Sequence, residues 1–329
     1  MSFDNKSILV TGGTGSFGQA FVEHVFSNYK PRKVIVFSRD EMKQWEMAKK
    51  YPNNSFIRFF IGDVRDRERL YRACSDVDIL IHAAATKIVP IAESDPFECV
   101  KTNVLGAMNV IDAAIDRSVD KVVALSTDKA SSPVNLYGAT KLASDKLFVA
   151  SNIYGANKTK FSVVRYGNVM GSRGSVLPFF IEKAKTGELP ITDFQMTRFM
   201  ITLEQGIQSV EFALSDMKGG EIYVKKTPSM TVVDMANAIA PGAKLTEVGI
   251  RPGEKIHEQM IGAEDAHYAY DYGGYFKIVP STATPEELHQ LTLGGSKVGV
   301  DFSYSSDNNK IWMTKAELKK FINDNQHKF

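Results

Sequence analysis

The sequence predicts an α/β protein built on a doubly wound parallel sheet, and three observations lead to this prediction. Short apolar segments with many β-branched residues alternate with helical patterns over the first half of the chain. A glycine-rich turn follows the first apolar segment, and polar or small residues follow several of the later ones. Because open parallel sheets bind ligands beyond the carboxyl ends of their strands, we expect the functional site along that edge.

The predicted strands are short and apolar, and helices separate them. The strands cover residues 7–10, 33–37, 56–61, 77–82, 121–125 and 161–166. Helices are predicted directly after the glycine-rich turn, over residues 95–114, around Tyr137 and Lys141, and over residues 203–214.

The glycine-rich turn reads T-G-G-T-G-S-F-G from Thr11 and stands between a predicted strand and a predicted helix. Of its glycines at 12, 15 and 18, one allows the tight bend, one lets backbone N–H groups approach a pyrophosphate, and one packs the helix on the sheet. The pyrophosphate is expected at the helix N-terminus. This arrangement predicts a Rossmann-type dinucleotide site. Its predicted contacts are Gly12, Thr14, Gly15, Ser16, Phe17 and Gly18.

The end of the second predicted strand indicates which dinucleotide is bound. An acidic residue directly at this position holds the 2′-hydroxyl of NAD. Here Ser38 and Arg39 come first and Lys43 follows one turn later, which favours the 2′-phosphate of NADP. Asp40 keeps NAD open as the alternative. Farther along this edge, the predicted cofactor contacts are Asp63 and Val64 after the third strand, and Ala83, Ala84 and Ala85 after the fourth.

The stretch S-T-D-K-A-S-S-P-V-N-L-Y-G-A-T-K carries the catalytic prediction. It follows a buried strand pattern, so Thr127, Asp128 and Lys129 are expected at the edge of the sheet. Tyr137 and Lys141 lie four residues apart on one helix face. An ammonium or a cationic nicotinamide beside a phenol lowers the pKa of the phenol, which can then accept a hydroxyl proton while hydride leaves the same carbon. Asp128 and Lys129 supply a second acid and base, which suits elimination chemistry.

Composition excludes several classes of protein. The 329-residue chain is 43% hydrophobic and 24% charged, with a formal net charge of +2 and no long basic run, so nucleic acid is not an expected partner. No apolar run approaches the ~20 residues of a membrane span, so no membrane is expected either. Cys74 and Cys99 are expected to be buried thiols, and no signal peptide is recognised. We therefore predict a cytoplasmic protein, and we predict no metal site.

The second half of the chain is expected to form a smaller C-terminal α/β substrate domain. We predict an NADP-binding domain over residues 1–168, with about 200–226 packing back on it, and a mainly substrate-binding domain over residues 169–329. A site for a charged, hydroxylated ligand would use arginine for phosphates and glutamate for ribose hydroxyls. The predicted substrate contacts are Lys87, Asn168, Ser175, Val176, Ile191, Thr192, Arg198, Arg251 and Glu254.

Two polar residues in apolar segments receive structural interpretations. His82 ends the fourth predicted strand and is expected to be packed there instead of binding a ligand. Asn103 interrupts the apolar pattern of the predicted helix over 95–114. We expect its side chain to hydrogen-bond backbone near the cleft instead of touching substrate.

With these motifs together, the chain resembles the extended short-chain dehydrogenase/reductase superfamily. Within it, the chain resembles the inverting UDP-N-acetylglucosamine 4,6-dehydratases that open the pseudaminic acid pathway. The matching motifs cover nearly the whole chain: T-G-G-T-G-S-F-G at Thr11, S-R-D-E at Ser38, G-D-V-R-D at Gly62, S-T-D-K-A at Ser126, N-L-Y-G-A-T-K at Asn135, R-Y-G-N-V at Arg165, G-S-R-G-S-V at Gly171, P-I-T-D at Pro190, M-T-R-F at Met196, G-E-K at Gly253 and S-Y-S-S-D-N-N at Ser303. The most specific feature is the Asp128-Lys129 pair with Tyr137 nine residues after Asp128. Ile88 stands where the family tends to have His.

The resemblance implies a lyase that holds NADP tightly and acts on UDP-N-acetylglucosamine. It implies that Tyr137 takes the proton of the 4-hydroxyl while the C4 hydride passes to NADP. A neutral Lys129 then removes the C5 proton, and protonated Asp128 helps the 6-hydroxyl leave as water before hydride returns to C6. Lys141 and the oxidised cofactor are expected to depress the pKa of Lys129. Thr127 is expected to hydrogen-bond the sugar, and the family commonly forms homo-oligomers.

Other functions stay open on the residues alone. A nucleotide-sugar 4-epimerase or reductase needs Tyr137 and Lys141 but has no use for Asp128 and Lys129. A retaining dehydratase is a further alternative, because residue types do not give the stereochemistry at C5. A non-catalytic cofactor-sensing member of the superfamily usually lacks the Tyr or the Lys, and this chain has both.

Overall fold

The structure, a computed structural model, describes residues 2–154, 158–172 and 174–325. Its strands are β1 (Ser7–Thr11), β2 (Lys33–Ser38), β3 (Ile57–Ile61), β4 (Ile79–His82), β5 (Lys121–Thr127), β6 (Lys160–Tyr166), β7 (Asn168–Val169), β8 (Glu188–Ile191), β9 (Thr197–Ile201), β10 (Ile222–Lys225), β11 (Ser229–Thr231), β12 (Lys244–Glu247), β13 (Gln259–Ile261), β14 (Ala269–Asp271), β15 (Tyr275–Ile278), β16 (Ser296–Lys297) and β17 (Tyr304–Ser305). Its helices are α1 (Ser16–Asn28), α2 (Glu41–Ala48), α3 (Arg67–Ala73), α4 (Val89–Ser94), α5 (Pro96–Val100), α6 (Gly106–Asp116), α7 (Leu136–Ala150), α8 (Val176–Ala184), α9 (Leu203–Asp216), α10 (Val232–Ile239), α11 (Ala263–Ala266), α12 (Pro285–Thr292) and α13 (Lys315–Asp324). Of the motif at Gly171, Arg173 lies outside the described residues.

Ten of these strands form one sheet in the order β16-β14-β15-β10-β6-β5-β4-β1-β2-β3. Seven neighbouring strands pair in parallel, namely β10, β6, β5, β4, β1, β2 and β3. Beyond β10, the strands β15, β14 and β16 extend the sheet by antiparallel pairing. The direction of the chain connections reverses between β1 and β4, where doubly wound sheets open a ligand crevice. The predicted fold class is confirmed.

Both faces of the parallel strands are buried, which explains their continuous apolar sequences. In β1, Leu9 belongs to the core on one face, and Ile8 and Val10 belong to the core on the other. Phe21 of α1 and Val210 of α9 share the core of Ile8 and Val10. The sheet is thus the middle layer of three, and its carboxyl edge is left open for the site.

The smaller unit has a core of its own, formed mainly by α8, α10 and α13 against short strands. The strands β7, β9 and β11 form one small sheet, and β8 pairs with β12. Ile191, predicted to contact substrate, belongs to this core and is 0% exposed. Successive side chains of a strand point to opposite faces, and in β8 the faces alternate so that Leu189 and Ile191 point inward. The structure therefore corrects the predicted substrate contact of the Ile191 side chain.

The chain returns to the main sheet after it has formed part of the smaller unit. The segment about 200–226 contains α9, which packs beside α1, and β10, which pairs with β6. The strands β14, β15 and β16 then lengthen the same sheet. The domain boundary near residue 168 stays a prediction.

The helix predicted over residues 95–114 is interrupted by a π-helical turn, Lys101–Leu105. Asn103 lies in this turn and is 2% exposed. Its Oδ1 accepts a hydrogen bond from the Thr86 N–H at 2.8 Å, and its Nδ2 donates to the Thr86 carbonyl at 2.9 Å. Single π-turns often occur at functional sites, and this one turns the amide toward the loop after β4. The prediction that Asn103 hydrogen-bonds backbone near the cleft is confirmed.

Candidate active site

A cleft of about 1110 Å³ runs along the carboxyl edge of the main sheet, between that edge and the smaller unit. The glycine-rich turn lines one part of it, and Arg251 and Glu254 line another. Every residue predicted for the site lines this cleft except Ile191. The structure therefore brings the predicted cofactor, catalytic and substrate residues to one continuous space.

The glycine-rich turn makes room for a pyrophosphate through its missing side chains. Gly12 has a φ of +65°, and a Cβ there would lie 2.7 Å from the carbonyl oxygen of Ala83. A Cβ on Gly18 would lie 2.5 Å from the Cα of Gly13, so α1 packs directly on the turn. Gly15 is the N-cap residue of α1. The first N–H groups of this helix therefore face the cleft without a side-chain cap from Gly15, and the site fits a dinucleotide.

Two cations flank the end of β2, and the acidic residue between them is engaged elsewhere. Asp40 is the N-cap residue of α2, and its Oδ1 accepts the Lys43 N–H at 3.0 Å. The Lys43 ammonium lies 2.6 Å from Oδ2 of Asp40. The Arg39 side chain is 64% exposed, with Nη1 3.7 Å from Oδ2 of Asp63. Both cations line the cleft, whereas the Asp40 carboxylate is committed to the helix.

Asp128 is arranged as a proton donor. It lies in a 3₁₀ turn, Asp128–Ala130, directly after β5 and is 1% exposed. Its Oδ1 accepts hydrogen bonds from the Thr127 hydroxyl at 3.0 Å and from Nζ of Lys129 at 3.1 Å. Its Oδ2 has no hydrogen-bond partner among the described residues. Burial raises the pKa of Asp128 against the opposing charge of Lys129, and the Glu258 carboxylate raises it further.

Tyr137 and Lys141 share one buried face of α7. Burial raises the pKa of Tyr137 to about 12, and the Lys129 charge and the Thr127 hydroxyl oppose this rise. The Lys141 ammonium donates to the Leu125 carbonyl at 2.7 Å, and burial lowers the pKa of Lys141. The cation that most lowers the pKa of the Tyr137 phenol here is therefore Lys129, whereas the spacing on the helix predicted Lys141.

The pKa of Lys129 differs most from what the sequence predicted. Its Nζ lies 3.1 Å from Oδ1 of Asp128 and 2.8 Å from Oε1 of Glu258. Burial lowers the pKa of Lys129, but the two carboxylates outweigh burial and raise the pKa above its ordinary value. The cation that most opposes this rise in the pKa of Lys129 is Arg198, whereas Lys141 was expected to lower it. In the protein without cofactor, the pKa of Lys129 is thus raised and not depressed, which favours the ammonium. A neutral Lys129 beside the oxidised cofactor stays a prediction.

Several buried polar atoms on the cleft wall have no hydrogen-bond partner within the described part of the chain. They are Asp128 Oδ2, Asn168 Oδ1, Ser175 Oγ, Glu254 Oε2 and Glu258 Oε2. An unsatisfied buried polar atom costs about 1–3 kcal/mol. Most of these atoms are acceptors, so a ligand with many hydroxyl groups would satisfy them, and a nucleotide sugar is such a ligand.

The two predicted arginines differ in their freedom to move. Arg198 is 11% exposed in its side chain, and its Nη1 donates to the carbonyls of Thr197 at 2.7 Å and Ile256 at 2.9 Å. It is therefore built into the cleft floor. Arg251 is 56% exposed in its side chain, with Nη1 4.0 Å from Oε1 of Glu254. Its exposed position at the cleft suits a phosphate contact.

The prediction for His82 is confirmed. The ring is 1% exposed, and its Nδ1 lies 2.8 Å from the Thr11 hydroxyl. Burial, aided by the Lys141 charge, lowers the pKa of His82 to about 3. His82 is therefore a neutral, packed side chain at the end of β4.

Sequence reasoning missed Glu258 and a buried ion cluster beneath the catalytic helix. The fully buried Arg165 side chain places Nη2 3.3 Å from Oδ2 of Asp145 and Nη1 2.7 Å from Oδ2 of Asp265. Asp145 follows Lys141 by four residues, so helical spacing would have found it. Glu258 has no such local signal, because its partner Lys129 is far away in the sequence.

Comparison with protein families decides the affiliation of the chain. Residues 8–280 match the family model described as "Polysaccharide biosynthesis protein". The chain belongs to this family. The match covers the glycine-rich turn, the catalytic stretch and the substrate loops, and it confirms the resemblance to extended short-chain dehydrogenases/reductases.

Two relatives illustrate the range of activities named among similar proteins. The chain is 53% identical to "UDP-N-acetylglucosamine 4,6-dehydratase (inverting)" of Campylobacter jejuni serotype O:2, and the match covers 98% of each protein. It is 40% identical to "UDP-glucose 4-epimerase" of Rickettsia prowazekii, over 97% of this chain and 96% of that protein.

Two solved structures of similar proteins have the same fold. Pen from Bacillus thuringiensis is 36% identical, with a TM-score of 0.89 and 99% coverage of both chains. DesIV, a dTDP-glucose 4,6-dehydratase from Streptomyces venezuelae solved with NAD and TYD bound, is 22% identical, with a TM-score of 0.70 and coverage of 87% of this chain and 95% of that chain. Members of this fold thus bind nicotinamide dinucleotides.

Two further features bear on how the chain compares with its family. Ile88 is 50% exposed and lines the cleft, so an apolar side chain stands where the family tends to have His.

Within the described ranges, no helix is both long and apolar enough to cross a membrane.

Proposed function

We propose that this chain is a UDP-N-acetylglucosamine 4,6-dehydratase that inverts C5 and so performs the first step of pseudaminic acid biosynthesis. The carrying observation is the convergence of Tyr137, Asp128 and Lys129 on one cleft wall. A 4-epimerase needs Tyr137 but has no use for Asp128 and Lys129. The 53% identity to the Campylobacter dehydratase over 98% of both chains supports the same substrate.

In this proposal, each residue of the site has its own proton-transfer role. A bound nicotinamide supplies the chemistry of accepting hydride from C4 and returning it at C6. Tyr137 accepts the 4-hydroxyl proton, and the Thr127 hydroxyl lies beside it at the end of β5. Lys129 removes the C5 proton, which the C4 ketone has acidified. Asp128, whose pKa burial raises, gives a proton to the departing 6-hydroxyl.

We propose Arg39 and Lys43 as the binding site of a 2′-phosphate, and hence NADP as the cofactor. We propose that Lys141 contacts the cofactor near Tyr137. The remaining predicted cofactor contacts are proposed to bind it along the edge of the sheet. Asp40 does not compete for this role, because it caps α2.

Arg39→Ala is expected to weaken NADP binding by about 1.5–3 kcal/mol, the contribution of a hydrogen bond to a charged group. NAD has no 2′-phosphate, so its affinity should change little. Isothermal titration of both cofactors measures the difference. Arg72→Ala, an exposed change outside the cleft, is the matched control. Equal affinity of the unmodified protein for NAD and NADP would contradict the proposal.

Incubation with UDP-N-acetylglucosamine tests the proposed function directly. The product is expected to be lighter than the substrate by one water, and early proton NMR spectra should show UDP-2-acetamido-2,6-dideoxy-β-L-arabino-hexos-4-ulose. The Rickettsia relative's name makes epimerisation the competing reaction. A product of unchanged mass would establish epimerisation and remove the dehydratase proposal.

We also propose that the protein forms a homo-oligomer and works in the cytoplasm. Phe97, Leu105 and Met108 are 79%, 46% and 44% exposed on the helical segment from α5 to α6, and such exposed apolar side chains suit contact with a second copy of the chain. Cys74 and Cys99 are buried free thiols, as is usual in a reducing compartment. Sedimentation velocity measures the assembly, and a monomer at micromolar concentration would contradict it.

A further inference from the structure

We propose that Glu258 is a positioning residue that takes the proton from Lys129 before elimination and returns it afterwards to Asp128 through Lys129. This inference rests on the proposed dehydratase function. It assigns a role to a carboxylate that the motifs did not identify. It also explains how a lysine held as an ammonium can act as a base.

Lys129 contacts both carboxyl groups. Nζ of Lys129 lies between the two carboxylates, 2.8 Å from Oε1 of Glu258 and 3.1 Å from Oδ1 of Asp128. The distance to Glu258 is that of a charge-assisted hydrogen bond, and the distance to Asp128 is that of an ordinary hydrogen bond. The Glu258 side chain is 3% exposed and that of Asp128 is 1% exposed, whereas that of Lys129 is 24% exposed toward the cleft. A proton can therefore pass in either direction through Lys129 with little access to bulk water.

Glu258 is held in place from the smaller unit. Its backbone N–H donates to the Ser306 hydroxyl at 2.9 Å, and the Ser306 N–H donates to its carbonyl at 2.8 Å. The residue directly precedes β13, while Lys129 follows β5 of the main sheet. The ion pair thus crosses the cleft and fixes the ammonium relative to the catalytic helix.

Three cations surround the two carboxyl groups of Glu258 and Asp128. The groups that face the pair are Asp128 beside Lys129, Arg198 with Nε 3.9 Å from Oε1 of Glu258, and Lys255. Burial raises the pKa of Glu258, but Lys129 and Arg198 outweigh it and lower the pKa. Tyr137 faces Lys129 from α7. The resting state proposed for the relay is an ionised Glu258, an ammonium at Lys129 held by that carboxylate, and a protonated Asp128, the carboxyl group whose pKa burial raises.

Each step of the relay conserves protons. The N–H bond of Lys129 breaks as an O–H bond forms on Glu258, which leaves a neutral amine and a neutral acid. The amine takes the C5 proton and becomes an ammonium again. Asp128 gives its proton to the departing hydroxyl, so water leaves and Asp128 is ionised. Lys129 then passes a proton to Asp128 and recovers one from Glu258, which restores the resting state of these three groups. C5 regains a proton from Tyr137, which holds the proton of the 4-hydroxyl, and Tyr137 is thereby returned to its starting form.

Glu258→Gln tests the relay by its pH profile. With Glu258 present, the proton on Lys129 has an internal acceptor, so the rate of water loss should be nearly flat across neutral pH. With Gln, the proton must go to solvent, and the rate should rise about tenfold per pH unit until Lys129 titrates. At neutral pH, we expect water loss to be about 10–100-fold slower. Reduction of bound cofactor by substrate, the earlier step, should stay within about twofold.

Two variants control this experiment. Glu264→Gln changes an exposed carboxylate of the same unit that does not line the cleft, and it should leave the flat profile unchanged. Glu258→Asp keeps a carboxylate and should restore a flat profile at a reduced rate, which a merely structural role would not predict. A flat profile at the unmodified rate in Glu258→Gln overturns the relay. Absence of water loss in the unmodified protein would instead overturn the proposed function.

Discussion

Tyr137→Phe is expected to abolish cofactor reduction and water loss together, with a fall of about 10²–10⁴-fold, the usual contribution of a general base. The phenol is the group that accepts the first proton, so every later step depends on it. Because burial raises the pKa of Tyr137 to about 12, phenolate is scarce at neutral pH in the ligand-free protein. The first step should therefore quicken as pH rises toward that value. Absorbance of the reduced nicotinamide follows it.

Asp128→Asn separates the first step from the second. This change removes the proton donor and leaves the phenol in place, so substrate should still reduce the bound cofactor while water loss stops. Tyr154→Phe, which alters an exposed tyrosine, is the matched control and should change neither step. Full activity in Tyr137→Phe, or loss of cofactor reduction in Asp128→Asn, would contradict this order of steps. Deuterium at substrate C4 should appear at product C6, and its loss to solvent would contradict it as well.

Lys129→Glu is expected to lower activity by about 10²–10⁴-fold and to shift any residual product toward the D-xylo epimer. Return of hydride to C6 creates an enolate whose C5 can be protonated from either face. Lys129 is an ammonium on a long, rotatable stem, with reach and charge that a carboxylate lacks. Product formed in deuterium oxide should carry solvent deuterium at C5.

The stereochemical prediction is read from early proton couplings at C5. Lys146→Glu places the same charge change on an exposed position of α7 and should leave both rate and stereochemistry unchanged. A D-xylo product from the unmodified protein at early times would replace the inverting assignment with a retaining one.

The local pattern of the sequence was sufficient for the fold and for most of the cleft. Strand length, β-branched content and the glycines at 12, 15 and 18 are properties of neighbouring residues, and they determine a parallel sheet with a phosphate turn. The rule that ligands bind beyond strand ends then placed Thr127, Asp128 and Ala83 on the cleft without any knowledge of the packing. Ile191 was misplaced because its strand was not recognised, and strand alternation turned its side chain inward.

The protonation states of the site were decided only by the tertiary structure. A pKa depends on burial and on charges within a few ångströms, and those neighbours come from distant parts of the chain. Glu258 approaches Lys129 to 2.8 Å from the smaller unit, and with Asp128 it raises the pKa of the lysine. The sequence by itself determined which acid and base groups reach the cleft. The fold determined how their pKa values shift, because only folding brings Glu258 and Asp128 into contact with Lys129.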